Sequence, residues 1–199
     1  MITSIDQLDE NKTYSYADYL TWKFEGYVEL LRGKLSRMAA PNRLHQRLGL
    51  KLGYLLEGHL NDKRCEVNIA PFDVRLLDQK KSKADKDVFT VVQPDLCVVC
   101  DLSKLDTKGC VGAPDLIIEI LSKGTQKKDI VDKFELYEFN EVKEYWIIAP
   151  QDETITVFDL IEEKGFQLRK IYTGDEIIFS KCIEEFKFEL PNLFNAVKS

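Results

Sequence analysis

The segment Asp115–Leu121 reads D-L-I-I-E-I-L, and it constrains the fold more than any other stretch of the chain. Side chains alternate between the two faces of a strand, so Leu116, Ile118 and Ile120 point one way and Ile117, Glu119 and Leu121 the other. With both faces apolar, the strand belongs in the middle of a covered sheet. Glu119 therefore lands inside the protein. A lone carboxylate there costs on the order of several kcal/mol unless it is paired, protonated or bound to a cation. A core pair with Lys or Arg and a cation site both satisfy it, and this strand alone does not choose between them.

A second acid precedes an apolar run: Gln93-Pro94-Asp95 leads into Leu96–Cys100. Proline removes a ladder donor, so Asp95 stands at a strand start, an edge or a bulge, from which it is either turn chemistry or aimed at a neighbouring strand. Asp115 also follows a proline and reads as a turn or capping residue. In the helix expected over Gln126–Asn140, about 100° per residue places Lys133 and Asp129 within the arc of Ile130, Phe134, Leu136 and Tyr137. Lysine is rarely placed on such a face without a partner. It is either paired with Asp129 one turn away, snorkelling outward, or committed to another acid. Glu29 shares strand parity with Tyr27, Leu31 and Leu35 and faces inward. His45 opens a long helix, where it is a hydrogen-bonding or a functional group.

The order of elements is mixed. A short helix near Tyr16–Lys23 precedes a strand pair near Tyr27–Met38, bent at Arg32-Gly33. Pro41-Asn42 starts a helix to Leu60, with leucines at helical spacing. Strands follow near Glu66–Ile69 and Phe72–Leu77, then a polar loop, Asp78–Asp87. One strand is expected through Val88–Cys100, then Asp115–Leu121, the helix over Gln126–Asn140 and a strand Lys143–Ala149. A hairpin, Thr154–Leu160 with Phe166–Tyr172, and short strands with a helical turn after Pro191 complete the chain. This pattern predicts an α/β (α+β) domain over residues 1–199, a mixed central sheet flanked by helices, with its core near 27–150 and residues 151–199 as a C-terminal hairpin extension.

The 199 residues are enough for a buried core without disulfides or structural metal. Five cysteines without a secretion signal read as reduced thiols of a cytoplasmic protein. Cys97 and Cys100 form a C-x-x-C within a strand-like run, where residues three apart face opposite sides, so core thiols are expected rather than a zinc ribbon. No apolar run approaches the ~20 residues of a membrane helix, and no membrane partner is expected. Phosphate loops, dinucleotide fingerprints, G-x-S-x-G and H-E-x-x-H are absent. The net charge of −6 argues against a broad nucleic-acid-coating surface but permits a local basic groove.

Taken together, YVELLRGKLSRMAAPNRLHQRL, VVQPDLCVVCD and GAPDLIIEILSKGTQKKDIVDKFELYEFNEVKEYWIIAP resemble the Uma2 family (DUF820), endonucleases of the PD-(D/E)XK, restriction-endonuclease-like fold. The resemblance implies that Glu29, Asp95 and Glu119 gather a divalent metal, Mg²⁺ or Mn²⁺, which takes hard oxygen ligands and keeps waters. It implies DNA as substrate, hydrolysed at its phosphodiester bonds, and a homodimer facing the two strands of a duplex. The family pattern puts lysine two residues after the glutamate, where this chain has Leu121. The resemblance moves that role to Lys133, with Lys123 as the rival. His45 and Asp129 become supporting residues, and Lys80, Lys81, Lys83, Lys127 and Lys128 candidate nucleic-acid contacts. The second expectation, favoured by Leu121 and the acidic balance, is a weak or inactive nuclease fold that binds nucleic acid without cutting it.

Overall fold

The computed structural model describes residues 2–24, 28–38, 40–61, 63–79, 82–122 and 126–195, with the backbone alone at 126–130. The helices are α1 (Tyr16–Tyr19), α2 (Arg43–Leu60), α3 (Gln126–Phe139) and α4 (Leu190–Phe194). The strands begin with β1 (Val28–Leu31), β2 (Lys34–Arg37), β3 (Glu66–Ile69), β4 (Asp73–Leu76), β5 (Thr90–Val92), β6 (Leu96–Val99) and β7 (Leu105–Asp106). They continue with β8 (Gly109–Val111), β9 (Leu116–Ile120), β10 (Glu144–Ala149), β11 (Thr154–Ile161), β12 (Gly165–Tyr172), β13 (Ile177–Phe179) and β14 (Lys187–Glu189).

Two six-stranded mixed sheets carry the fold, in the orders β2-β1-β5-β4-β8-β7 and β12-β11-β10-β9-β6-β3. β13 and β14 pair separately. The central mixed sheet expected from the sequence is the second of these. Its middle strand is β9, all five residues buried, parallel to β10 and antiparallel to β6. The tail hairpin β11–β12 extends this sheet beside β10.

The strand expected over Val88–Cys100 divides into two. β5 pairs with β1 and β4 in the first sheet, whereas β6 pairs with β3 and β9 in the second. The break falls at Gln93-Pro94-Asp95, where proline offers no N–H to extend either ladder. The backbone groups around it are still satisfied, Gln93 N–H by a Glu29 carboxylate oxygen at 2.9 Å and Asp95 C=O by Ala70 N–H at 3.1 Å. Residues 93–95 thereby carry the chain from one sheet to the other.

Each face of the second sheet has its own core. Leu48, Leu52, Leu56 and Leu60, one per turn of α2, pack on Leu116, Ile118 and Ile120. Asn42 starts that helix, its side chain accepting from His45 N–H. On the opposite face Ile117 and Leu121 pack with Leu136 and Tyr137 of α3 and with Val74, Leu76 and Val92 of the first sheet. The β1–β2 connection places Arg32 and Gly33 at φ 51° and 80°, a two-residue hairpin turn.

The cysteine expectation is corrected at two positions. Antiparallel β3 and β6 pair Glu66 with Val99, so Cys65 and Cys100 fall opposite each other one step beyond and form a disulfide. Cys97, Cys110 and Cys182 are free thiols, the first two buried. Among the described residues no helix is long and apolar enough to cross a membrane.

Candidate active site

Glu119 lies 5% exposed on the face of β9 that meets α3. Two donors one helical turn apart converge on its Oε1: Lys133 Nζ at 2.9 Å and the Tyr137 hydroxyl at 2.6 Å. The same ammonium donates to Glu29 Oε1, also at 2.9 Å. Glu29 reaches this point because alternation along β1 turns Val28 and Leu30 away and Glu29 toward the second sheet. Lys133, only 4% exposed, thus joins an acid of each sheet. It is the inward lysine that the helical spacing of α3 predicts.

Asp95 stands at the break between the sheets. The β6–β9 register pairs Leu96 with Ile118, so one further step sets Asp95 opposite Glu119. Its Oδ2 accepts from Ile120 N–H at 2.7 Å and faces His45 Nε2 at 3.0 Å. His45 occupies the first turn of α2, on the side facing the sheet. Burial disfavours its charged form, but the bond to Asp95, the charges of Asp95 and Glu119 and a bond to the Ile120 backbone outweigh it and raise the pKa. The contact with Asp95 places a proton on Nε2, which both the imidazolium and the neutral Nε2–H tautomer carry.

Burial pushes the Glu119 carboxyl above its usual range; Lys133 opposes that shift, Asp95 and Glu29 reinforce it, and the Tyr137 hydrogen bond opposes it. Burial and Glu119 hold the Tyr137 hydroxyl in its neutral, donating form. Each acid commits one oxygen to these contacts. Glu29 Oε2, Asp95 Oδ1 and Glu119 Oε2 have no hydrogen-bond partner among the described residues. All three acids line a cleft of about 340 Å³ together with His45, Gln93 and Lys133.

Hard oxygen donors of this kind suit Mg²⁺ or Mn²⁺, and Mg²⁺ needs only one or two carboxylates because it keeps waters. No three His, Cys, Asp or Glu side chains among the described residues are gathered closely enough to hold a metal together. The donor set that fits is the facing pair Asp95 and Glu119. Glu29 is drawn instead to Lys133 and the Gln93 backbone.

Leu121, where the family pattern has lysine, is buried in the apolar cluster. Asp115 accepts from Cys100 N–H and Lys143 Nζ, a structural clamp. Lys83 is exposed and does not line the cleft. Lys80, Lys81 and Lys123, and the side chains of Lys127, Lys128 and Asp129, lie outside the described residues. Two contributors escaped the sequence reading. Tyr137 sat in the apolar arc of α3, which conceals its hydroxyl, and Gln93 read only as a lead-in to Pro94.

Residues 16–191 match the model of the Uma2 family, described as "Putative restriction endonuclease". An uncharacterized protein of Synechocystis, slr1290, is 22% identical over 163 residues, covering 80% of this chain and 81% of the relative. The crystal structure of "a putative nuclease belonging to DUF820" from Anabaena variabilis aligns with TM-score 0.70 at 14% identity. The alignment covers 92% of this chain and 99% of that one, so the two share their fold.

Proposed function

Because the chain belongs to the Uma2 family of restriction-endonuclease-like proteins, we propose that it is a metal-dependent endonuclease hydrolysing phosphodiester bonds in DNA. The observation that carries this reading is Glu119 itself. A carboxylate held within a central strand, facing Asp95 and bonded to a buried lysine at the edge of a cleft, is expensive as mere structure. It suits a centre that handles a cation and an anionic ester.

In this reading Asp95 and Glu119 hold the cation through their uncommitted oxygens. Bound there, a divalent ion supplies an acidified water and offsets charge on the reacting phosphate. His45 and Ile120 N–H fix the plane of the Asp95 carboxylate from its other oxygen. Lys133 is held by Glu29 and Glu119, its ammonium presented to charge developing on the phosphoryl oxygens. Glu29 acts as a positioning group for Lys133. Two copies pairing on a duplex would cut both strands.

Plasmid nicking at low salt, with Mg²⁺ and Mn²⁺ in turn, tests the reading. Wild type is expected to nick, and Glu119→Gln, which keeps the shape and removes the charge, to lose cleavage while melting cooperatively. Nicking by Glu119→Gln at the wild-type rate overturns the site. Salt-sensitive DNA binding without cleavage by either protein selects the binding reading, with Leu121 in the usual lysine position as its cause.

A further inference from the structure

Gln93 is 5% exposed and lines the same cleft as Asp95 and Glu119. Its amide orientation is determined by its neighbours. Nε2 donates to Asp73 Oδ1 at 2.8 Å and to the Tyr19 hydroxyl at 3.2 Å, and Asp73 is in turn held by the Tyr16 hydroxyl at 3.0 Å. Reversing the amide would set its carbonyl against the Asp73 carboxylate. The backbone N–H of Gln93 is occupied by Glu29 Oε1. Its carbonyl oxygen, Oε1, is left buried with no hydrogen-bond partner among the described residues.

A buried acceptor without a donor costs about 1–3 kcal/mol, so such an atom calls for a ligand. The cleft is rich in acceptors, and the donor it most readily attracts is a cation carrying its own waters. Magnesium-type ions keep several waters when two carboxylates hold them, and each such water is a strong hydrogen-bond donor. An acceptor locked in the wall of the cleft fixes one of those waters without spending another negative charge.

We propose that Gln93 is a positioning residue for the cation, its Oε1 accepting a hydrogen bond from a water bound to the ion held by Asp95 and Glu119. The inference rests on the cation reading above and adds to it a neutral oxygen brought from the first sheet. The network of Tyr16, Tyr19 and Asp73 then has a purpose beyond packing, because it aims Oε1 away from itself.

Calorimetric titration of the full chain with Mn²⁺ tests this without recourse to activity. Gln93→Met keeps the length and removes the acceptor, and it is expected to weaken Mn²⁺ binding about 10–100-fold, the usual effect of losing such an outer partner. Tyr19→Phe removes one anchor of the amide but leaves Oε1, and should bind within about threefold of wild type. Gln93→Glu introduced together with Asp73→Asn exchanges acceptor and donor between the two side chains, retains an oxygen acceptor at 93 and adds charge there, so the pair should bind at least as tightly as wild type. Unchanged binding by Gln93→Met overturns the proposal, as does equal weakening by Tyr19→Phe. If Gln93→Met does not fold, weakened binding by the Gln93→Glu/Asp73→Asn pair overturns it instead. Absence of binding by wild type overturns the cation reading itself, an outcome distinct from wild-type binding that Gln93 does not influence.

Discussion

Glu29 and Glu119 come from different sheets and share one ammonium, Lys133 Nζ lying 2.9 Å from an oxygen of each. The lysine therefore ties the two sheets together at the site while it neutralises part of the charge gathered there.

Removing that ammonium leaves two buried acids facing each other. Lys133→Met should cost about 3–5 kcal/mol in denaturant unfolding at neutral pH, the effect of breaking a buried pair on one side. Cleavage should fall at least ~100-fold. Residue 121 shares the face of Glu119, so Leu121→Lys introduced beside Lys133→Met should return at least ~10-fold of the lost rate. No recovery in the nicking assay would show that the role requires the helix and cannot be met from the strand.

His45→Ala frees Asp95 Oδ2 from one of its two partners. Nicking should drop about 10–100-fold, as is usual when the partner of a ligand is removed. The melting temperature should move little, because Ile120 N–H still holds the carboxylate. Steady-state nicking rates and a thermal melt on the same preparation check both halves.

Away from the cleft, Asp159 is gripped by Arg169 and by Lys181, the latter at 2.6 Å. Burial pushes its carboxyl up, but the bonds and charges of Arg169 and Lys181 prevail and leave it below the usual carboxylate value. A depressed carboxylate contributes stability that is complete above its unfolded pKa of ~3.9 and disappears as pH falls through the lower folded value. Wild type should exceed Asp159→Asn by about 1–3 kcal/mol at pH 7. The two should converge near pH ~2. Urea unfolding at several pH values reads the difference.

The Cys65–Cys100 bridge closes a loop with a sequence separation of 35. On chain entropy alone it contributes about 3–4 kcal/mol. Excess reductant, or Cys65→Ser, should lower the denaturant midpoint accordingly. Nicking at 25 °C should continue, since neither sulfur lines the cleft.

Much of the site was legible because its residues violate a pattern that their neighbours keep. Glu119 interrupts an apolar parity, Lys133 interrupts an apolar arc, and Glu29 has the parity of an inward position. Periodicity reports such exceptions directly. The division into two sheets was not legible: Pro94 marks a break in a ladder, yet nothing local says that β5 and β6 then find different partners. Nor was the disulfide, which depends on how β3 meets β6 to bring together two cysteines at a sequence separation of 35. Tyr137 and Gln93 were hidden for a simpler reason. Their apolar rings or stems satisfy the local pattern, and only the far polar atom acts.

The three-residue crossing at Gln93–Asp95 also limits how this chain can change in length. One residue added between Val92 and Leu96 would have to be absorbed by β5 or by β6, and a one-residue slip turns every side chain of the slipping strand to its other face. Slippage of β6 would exchange Leu96 and Val98 with Cys97 and Val99 between the two cores and swing Asp95 away from Glu119; slippage of β5 would withdraw Gln93 from Glu29. An insertion scan should therefore find residues 93–95 the least permissive point of the molecule, intolerant of a single glycine, while the exposed turn at Gly174-Asp175, between β12 and β13, accepts several.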